Sequence, residues 1–478
     1  MRKSSLAAAL LALSASGCMV GPDYVRPTID TPAAWRLSDE NARDLANSRW
    51  WQQFDDPVLD ELVETALREN KDLRIATARI EEFAGRYGIV RAPLFPQIGA
   101  TYEPAKQRGS PTTLSRETTV FDSYQAVLTA SWEIDIWGRI RRQSEAARAQ
   151  LLASEDGRRA VILSLVGSVA SAYVNLRDLD RQLEIAKATA NSRGESYEIF
   201  KLRYSGGIIS LLELSQNQSQ YEEAVATIPV IEKAIAQQEN GLSVLLGRNP
   251  GPIVRGRNID QLTLPAVPAG LPSDLLERRP DLQQAEQNLI AANALIGAAK
   301  AAYFPTISLT GLFGVSSDNL SSLFDAQSKI WRYAAPISLP IFTGGALAGQ
   351  VQVAEAQQQQ ALFAYQKAIQ QAFAEVNDAL VDQDRTRAQL QSQKRQVDAL
   401  VQYAATARLR YENGYTSYIE VVDAESRLFN AQLQYTQTQQ TQFQAMINLY
   451  KAMGGGWVLE ADKLATANGP QEDPPRVP

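Results

Sequence analysis

Apolar residues recur at two different spacings along this chain, and the two spacings follow in the same order in each half. Helical spacing starts after Asp56-Pro57, where an aspartate suited to capping precedes a proline suited to the first helical position. Proline-free stretches that are compatible with helix run over 138–204 and 346–411, and each is followed by a shorter helical return. The pattern predicts two long helical hairpins, with a kink or break at Pro229 in the first return.

After each Phe-Pro pair, Phe95-Pro96 and Phe304-Pro305, the apolar spacing changes to two. The alternating segments are Ile98–Tyr102, Tyr124–Ile134, Ile307–Phe313 and Trp331–Leu339. One face of each segment is apolar, with aromatic residues near the ends, and the other is polar, which is typical of transmembrane barrel strands. Residues 104–119 and 314–329 are predicted to be exposed loops. Because alternation within one segment is a weak signal, a soluble sheet is the alternative.

Four strands are too few to close a transmembrane barrel. An open strand edge in lipid would leave backbone groups without partners, so every edge has to be paired. Three copies of the chain would supply twelve strands, within the range of about 8 to 26 strands of bacterial outer-membrane barrels. The sequence therefore predicts a barrel that is shared by a homotrimer.

The two halves of the chain repeat each other. Asp72-Leu73 matches Asp281-Leu282 at a separation of 209 residues, and the two Phe-Pro pairs have the same separation. Arg203-Tyr204 matches Arg410-Tyr411 at a separation of 207. Each half is one long unit rather than a stack of short repeats, which indicates an internal duplication.

Both hairpin tips are predicted from a glycine that interrupts the helical pattern. Gly207 and Gly414 can adopt a left-handed turn without the penalty of a Cβ atom. Thr416 or Ser417 is suited to cap the helix that follows Gly414. The sequence thus places one turn in each half, at equivalent positions of the duplication.

Acidic residues follow each of these turns. Glu213 and Glu420 each lie six residues after the glycine, and Asp423 lies three residues after Glu420. Residues three apart share a helix face. In a threefold assembly, Glu420 and Asp423 would form rings of like charge that attract cations and repel one another unless they are paired.

Residues 1–17 have the features of a secretory signal peptide: a basic start, an apolar stretch and small residues before Cys18. This segment resembles a bacterial lipoprotein signal with Cys18 as the acylated residue, although Ala15 stands where leucine is usual. An ordinary signal peptide with an incidental cysteine is the alternative. By the same resemblance Met19, which is not an aspartate, carries no signal for retention in the inner membrane.

Composition excludes several classes of function. The chain has no histidine, and Cys18 is its only cysteine, which excludes His-based catalysis, internal disulfides and Cys/His metal sites. A net charge of −6 argues against a broad nucleic-acid-binding surface. No nucleophile–base pair or phosphate loop is visible, so we predict no catalytic, metal or cofactor site. After residue 18 no uninterrupted apolar run reaches the ~18 residues of a transmembrane helix.

These patterns divide the chain into six segments. They are a signal peptide at 1–17, an extended arm at 18–57, the first repeat at 58–247, a linker at 248–272, the second repeat at 273–454 and a disordered tail at 455–478. The aromatic cluster Trp50, Trp51 and Phe54 near the end of the arm is predicted to be a packing anchor.

As a whole the sequence resembles the bacterial outer-membrane efflux factors of the OprM/NodT type, which are related to TolC. The resemblance is carried by Cys18 with residues 21–27, the run from Trp51 to Leu62, residues 278–282, the Phe-Pro elements and both tips. It implies an α+β membrane protein: a trimer with a shared 12-stranded β-barrel in the outer membrane, continued by a long α-helical barrel in the periplasm.

The resemblance also implies partners and a role. The protein would be the lipid-anchored exit duct of a tripartite pump for drugs and other toxic compounds. It would work with a periplasmic adaptor, also called a membrane fusion protein, and an inner-membrane transporter of the RND class. Two alternatives are a TolC-like duct for protein secretion and a periplasmic coiled-coil scaffold lipoprotein without a pore.

In this family the helical barrel narrows at the tips, and polar residues there hold it closed. By resemblance Asp423 occupies the position of the gate aspartate, Ile419 is a candidate apolar constriction, and Glu420 is acidic in some relatives. Arg410 and Tyr411 match the Arg-Tyr pair that tethers the tip. Glu213 is a weaker candidate for the gate. Glu412 departs from the family pattern, because some relatives have a second tethering arginine at this position.

Overall fold

A computed structural model describes residues 19–29, 31–32, 34–37, 48–108, 120–268 and 272–467. The predicted signal peptide and Cys18 lie outside the described residues. The chain divides into two units. One contains 79–155 and 284–366 with the N-terminal residues up to 28, and the other contains 29–78, 156–283 and the rest of the chain from 367.

The helices are α1 Pro57–Glu69, α2 Lys71–Arg91, α3 Arg139–Ser205, α4 Leu211–Leu245, α5 Leu275–Arg278, α6 Pro280–Ala301, α7 Ala346–Glu412, α8 Tyr418–Met453 and α9 Trp457–Ala467. The long helices follow the predicted order, and α9 lies where a disordered tail was predicted. The cap predicted for α1 is confirmed, because Asp56 Oδ1 accepts a hydrogen bond from the Val58 N–H at 2.9 Å. Of the kink or break predicted at Pro229, the break is not observed, since α4 is one continuous helix that contains this proline.

The long helices form two hairpins, α3–α4 and α7–α8, which we call the first and the second hairpin. Among the described residues, α3 contains an 18-residue window that is long and apolar enough to cross a membrane by length and composition. More than half of that window is buried, and Ile162, Val166 and Val169 of this helix are fully buried. Burial against neighbouring helices explains the apolar composition of α3.

The strands form one antiparallel sheet in the order β1-β2-β3-β4. They are β1 Gln97–Arg108, β2 Val120–Ile134, β3 Thr306–Ser317, β4 Lys329–Ala334 and β5 Ile337–Ser338, which also pairs with β3. β1 and β3 extend into the loops predicted at 104–119 and 314–329. β1 extends to Arg108 because this residue pairs with Val120 of the neighbouring strand. Hydrogen bonds between strands stabilise such residues, and the alternation within one strand does not reveal them.

The fourth strand is interrupted, whereas the sequence predicted one alternating segment from Trp331 to Leu339. β4 ends at Ala334 and pairing with β3 resumes at Ile337. Pro336 lies between them and has no N–H to donate to the ladder, while its carbonyl accepts from the Ser308 N–H at 3.1 Å. The sheet therefore has four strands side by side, and the fourth is divided into β4 and β5.

The predicted disordered tail at 455–478 is wrong for its first part. Residues 457–467 form α9, and the Trp457 side chain is fully buried. The Trp457 ring meets the Trp51 ring edge-on at a centroid distance of 5.5 Å, and Trp50 stacks on Tyr450 at 5.2 Å. The aromatic cluster of the arm is thus a packing anchor, as predicted, and its partner is the segment after the last long helix. Residues 468–478 lie outside the described residues.

The linker predicted at 248–272 is packed against the helices. Ile253, Ile259 and Val267 are buried. The Arg257 N–H donates to Asp56 Oδ2 at 3.0 Å, and the Gly256 N–H donates to the Tyr173 hydroxyl at 2.9 Å. The segment between the two repeats is therefore part of the same core as the cap of α1.

Candidate functional site

The two hairpin tips have the same backbone geometry. At the first tip the Gly207 N–H donates to the Tyr204 carbonyl and the Ile208 N–H donates to the Arg203 carbonyl, both at 2.9 Å. At the second tip Gly414 and Tyr415 make the equivalent bonds to Tyr411 and Arg410, also at 2.9 Å. The glycine φ angles are 71° and 75°. This pair of bonds closed by a left-handed glycine is the Schellman motif, so both glycine turns are confirmed.

The glutamates after the two turns act at helix starts. Glu213 Oε2 accepts from the Ser210 N–H at 2.9 Å, and Ser210 Oγ accepts in turn from the Glu213 N–H at 3.3 Å. This capping box occupies the Glu213 carboxylate within its own helix, which disfavours a gate role for this residue. At the second tip Ser417 occupies the N-cap position without a side-chain hydrogen bond, and the Thr416 hydroxyl donates to Glu420 instead.

Asp423 lies one turn further along α8 and has two partners within the same chain. Its Oδ1 accepts from Arg427 Nε at 3.0 Å, and its Oδ2 accepts from the Tyr403 hydroxyl of α7 at 3.4 Å. The Asp423 side chain keeps 43% of its surface exposed, and that of Arg427 keeps 65%. Burial and the Asp423 carboxylate together raise the pKa of Tyr403. Asp423 is therefore a carboxylate that is held in place and still accessible.

Arg410 and Glu420 link the two helices of the second hairpin across the turn. Arg410 Nη1 lies 3.4 Å from Glu420 Oε1, with the arginine side chain half exposed and that of the glutamate largely covered. The charges of Glu420 and Asp423 thus each have a basic partner in the same chain, Arg410 for Glu420 and Arg427 for Asp423. This pairing lowers the repulsion expected for rings of like charge.

Tyr411 points into an aromatic core that joins the two tips. Its ring lies 5.1 Å from that of Tyr418 and 6.2 Å from that of Phe200 on the first hairpin. Burial and the nearby Glu213 carboxylate raise the pKa of Tyr411. Burial also raises the pKa of Tyr418 to about 12, and its hydroxyl accepts from Asn217 Nδ2 at 2.5 Å. The two tips are packed together by these rings.

The structure brings together five of the predicted site residues, Arg410, Tyr411, Ile419, Glu420 and Asp423, around the second turn. Ile419 has 54% of its surface exposed, which leaves it available to line a narrow passage. Sequence reasoning missed Arg427 and Tyr403 as partners of Asp423. The spacing of four residues between Asp423 and Arg427 was a usable signal, whereas the contact to Tyr403 depends on how α7 and α8 pair.

Several apolar side chains are exposed at the tips. Ile208, Leu211 and Leu212 of the first tip and Tyr415 of the second have 59–77% of their surface exposed. Exposed apolar groups concentrated in one place indicate contact with another molecule. Among the described residues no group of three or more His, Cys, Asp or Glu side chains could hold a metal ion.

Comparison with known proteins decides the family. The model of the outer membrane efflux protein family matches residues 62–248 and 271–455. The chain belongs to this family. The two matched stretches of this outer membrane efflux protein contain the two hairpins, and they end where α4 and α8 end.

Curated relatives match almost the whole chain. The probable efflux pump outer membrane protein TtgC of Pseudomonas putida is 37% identical over 467 residues, which are 96% of each chain. The cation efflux system protein CusC of Escherichia coli is 36% identical over 452 residues, 94% of this chain and 97% of CusC.

Solved structures agree with this assignment. A crystal structure of CusC has a TM-score of 0.83 and 34% identity. The match covers 92% of this chain and 100% of the CusC chain. The open state of the MtrE outer membrane channel of Neisseria gonorrhoeae has a TM-score of 0.82 and 32% identity. The match covers 92% of this chain and 99% of the MtrE chain. The chain therefore has the fold of TolC-like channels. It is an outer-membrane exit duct of an efflux pump that extends into the periplasm, and not an enzyme.

Proposed function

We propose that this efflux protein is a trimeric duct for small toxic organic compounds, and that it is closed at its periplasmic end by the second hairpin tip. The observation that carries the proposal is the arrangement around Asp423. An accessible carboxylate is held in place by Arg427 and Tyr403, next to the Arg410–Glu420 pair and the exposed Ile419. Opening the tip would move these polar groups apart from their copies in the other chains and would strain the aromatic core around Tyr411 and Tyr418.

The sheet supports the trimer. Within the described residues β1 pairs with β2 alone, and β4 and β5 pair with β3 alone, so each chain has two unpaired edges. Ile98, Leu128, Phe313, Trp331 and Tyr333 expose 53–79% of their surface. Apolar strand faces suit lipid, and lipid requires every edge to be paired. Three copies joined edge to edge would meet both requirements with twelve strands.

The names of the relatives suggest the cargo. Pseudomonas putida proteins 36–37% identical to this chain are described as toluene, solvent or antibiotic efflux components, and CusC as a cation efflux protein. Because most of these names refer to organic compounds, we favour organic compounds as the cargo, with selection made by the inner-membrane transporter. Measured susceptibility of a deletion strain to solvents, antibiotics and copper or silver salts would test this choice.

We propose that the exposed apolar residues of the tips, Ile208, Leu211, Leu212 and Tyr415, dock a periplasmic adaptor. Such a surface suits the apolar face of a helical hairpin. The adaptor would connect the duct to an inner-membrane transporter of the RND class. Purification of the tagged duct after crosslinking should recover both proteins, and Leu212→Asp should reduce that recovery.

The gate is tested by Asp423→Ala in planar bilayers. The exposed pair Asp423–Arg427 contributes only about 0.3–0.5 kcal/mol to stability, so the variant should fold and assemble normally. We expect higher single-channel conductance and entry of large antibiotics into cells. The matched control is Asp384→Ala, which removes an exposed, arginine-paired carboxylate from the middle of α7. Unchanged conductance in an intact Asp423→Ala trimer would place the constriction elsewhere.

Bilayer recordings, a deletion strain and extraction behaviour separate the alternatives. A duct for protein secretion would also conduct, but its deletion would abolish export of a protein and leave resistance to small compounds unchanged. A scaffold without a pore would show no channel in bilayers and would become soluble once its lipid was removed.

A further inference from the structure

Arg279 joins three helices at the end of the second hairpin that is remote from the tip. It directly precedes α6, and its side chain is only 7% exposed. Nε and Nη2 bind the two oxygens of Asp281 at 3.0 and 2.7 Å, while Nη1 binds Glu375 of α7 at 2.7 Å. Nη1 also donates to the carbonyl of Ala452, in the last turn of α8, at 3.1 Å. We call these residues the Arg279 cluster.

The first hairpin has a simpler arrangement at the equivalent place. Asn70 precedes α2 as Arg279 precedes α6, at the separation of 209 residues that relates the two repeats. Its Nδ2 donates to the carbonyl of Leu245 in the last turn of α4 at 2.9 Å, and its Oδ1 accepts from the Leu73 N–H at 3.0 Å. Leu245 and Ala452 are 207 residues apart, so the same carbonyl is bound in both repeats.

The difference between the repeats lies in the long helix. Glu375 of α7 corresponds to Ser168 of α3 at the separation of 207, and Asn70 has no recorded bond to α3 among the described residues. Asn70 thus contacts one helix of the first hairpin, whereas Arg279 contacts both helices of the second. At this end α3 is held by a different group, the Tyr173 hydroxyl, which donates to Asp56 Oδ2 at 2.7 Å. The glycine that follows each return helix, Gly247 or Gly454, packs so closely that a Cβ atom would come within 3.0 Å of the neighbouring segment.

Distance along α7 makes this end of the hairpin important for the tip. Glu375 and the last residue of α7, Glu412, are 37 residues apart, or roughly 55 Å of helix. A rotation of roughly 5° at Glu375 would move the tip by roughly 5 Å, enough to change the width of a narrow passage. Contacts that fix α7 and α8 at this end thus control where Asp423 lies.

We propose that Arg279 is a positioning residue for the gate: it fixes the second hairpin at its remote end through Glu375 and the Ala452 carbonyl. Loss of the cluster would let this hairpin swing and the tip open. The proposal rests on the proposed function, in which the second tip closes the duct.

The test replaces two residues of the second repeat by the residues at the equivalent positions of the first. Arg279→Asn and Glu375→Ser introduce the residues found at the equivalent positions 70 and 168. The control is Arg278→Asn, which removes an adjacent arginine that is paired with Asp274. Tip separation is measured between nitroxide labels on Asn413→Cys in a Cys18→Ser background, by pulsed electron paramagnetic resonance on purified trimers. Conductance is measured on the same variants without the label.

Both repeat-copying variants should lengthen or broaden the tip-to-tip distances by roughly 5 Å and at least about double the conductance, while Arg278→Asn should change neither. A merely structural role would lower trimer yield and leave the tips of surviving trimers unmoved. If Arg279→Asn does not assemble, Glu375→Ser decides, because the Glu375 side chain is 55% exposed and its loss should be tolerated.

Unmoved tips and unchanged conductance in folded Arg279→Asn and Glu375→Ser trimers would overturn the proposal. The proposed gate can fail separately. If Asp423→Ala leaves conductance unchanged but Arg279→Asn moves the labelled tips, the gate assignment is wrong and the positioning role of Arg279 stands.

Discussion

We expect multivalent cations to bind at Asp423 and block this channel, and removal of Arg427 should strengthen that block. Arg427 binds Asp423 at 3.0 Å, but its side chain is 65% exposed, so the pair contributes only about 0.3–0.5 kcal/mol to stability. Arg427→Ala should therefore leave the fold intact and change the electrostatic potential at the tip. Each copy of the chain would lose one positive charge beside the carboxylate that attracts cations.

The magnitude follows from Coulomb's law. A divalent cation held by Asp423 would lie roughly 7 Å from the Arg427 charge, where repulsion in water is about 1 kcal/mol. Salt at roughly 0.1 M halves this value. If one cation is shared by the Asp423 carboxylates of all three copies, the three Arg427 charges together weaken its binding by roughly 1.5 kcal/mol, which corresponds to about a tenfold change in affinity.

The assay is a titration of single-channel current with a divalent cation on the periplasmic side. We expect Arg427→Ala to lower the half-blocking concentration about tenfold, and Asp423→Ala to raise it. Arg385→Ala, which removes an exposed arginine paired with Asp384 in the middle of α7, should change little. A half-blocking concentration that stays the same in both Arg427→Ala and Asp423→Ala would show that cations do not bind at this tip.

Two further predictions concern the ends of the chain. Trp457→Ala should cost about 3–5 kcal/mol, because it empties a fully buried site against Trp51, and the detergent-solubilised trimer should dissociate at a lower temperature. An unchanged dissociation temperature would mean that α9 does not contribute to the core. Cys18→Ser should abolish incorporation of labelled palmitate while the protein stays in the outer-membrane fraction. Mass spectrometry that found an unmodified mature N-terminus elsewhere would contradict acylation at Cys18.

Local signals in the sequence predicted the elements that depend on local chemistry. The glycine turns at 207 and 414 and the Asp56 cap are fixed by residues within one turn of each other. The long hairpins followed from the absence of proline over more than sixty residues in each long helix. The order of strands and helices in each half followed from the change in apolar spacing.

Elements that depend on distant partners were not predictable in this way. α9 was taken for a disordered tail because its sequence is short and borders a proline-rich end, and its helix is stabilised by tryptophans near residue 50. The capping role of Glu213 was missed, because a capping box and a channel gate both use an acidic residue after the turn. The contact from Tyr403 to Asp423 depends on the pairing of two helices, which no local pattern specifies.

The two unpaired edges of the sheet have a genetic consequence. Since the edge of β1 differs from the edge of β4 and β5, copies that close a ring must join head to tail, and every copy takes part in two junctions. A cell that makes equal amounts of a normal subunit and one with a defective edge would form fully normal trimers in only about one case in eight. A mutant allele that disrupts β1, such as Thr101→Pro, should therefore be dominant over the normal allele in a strain that expresses both.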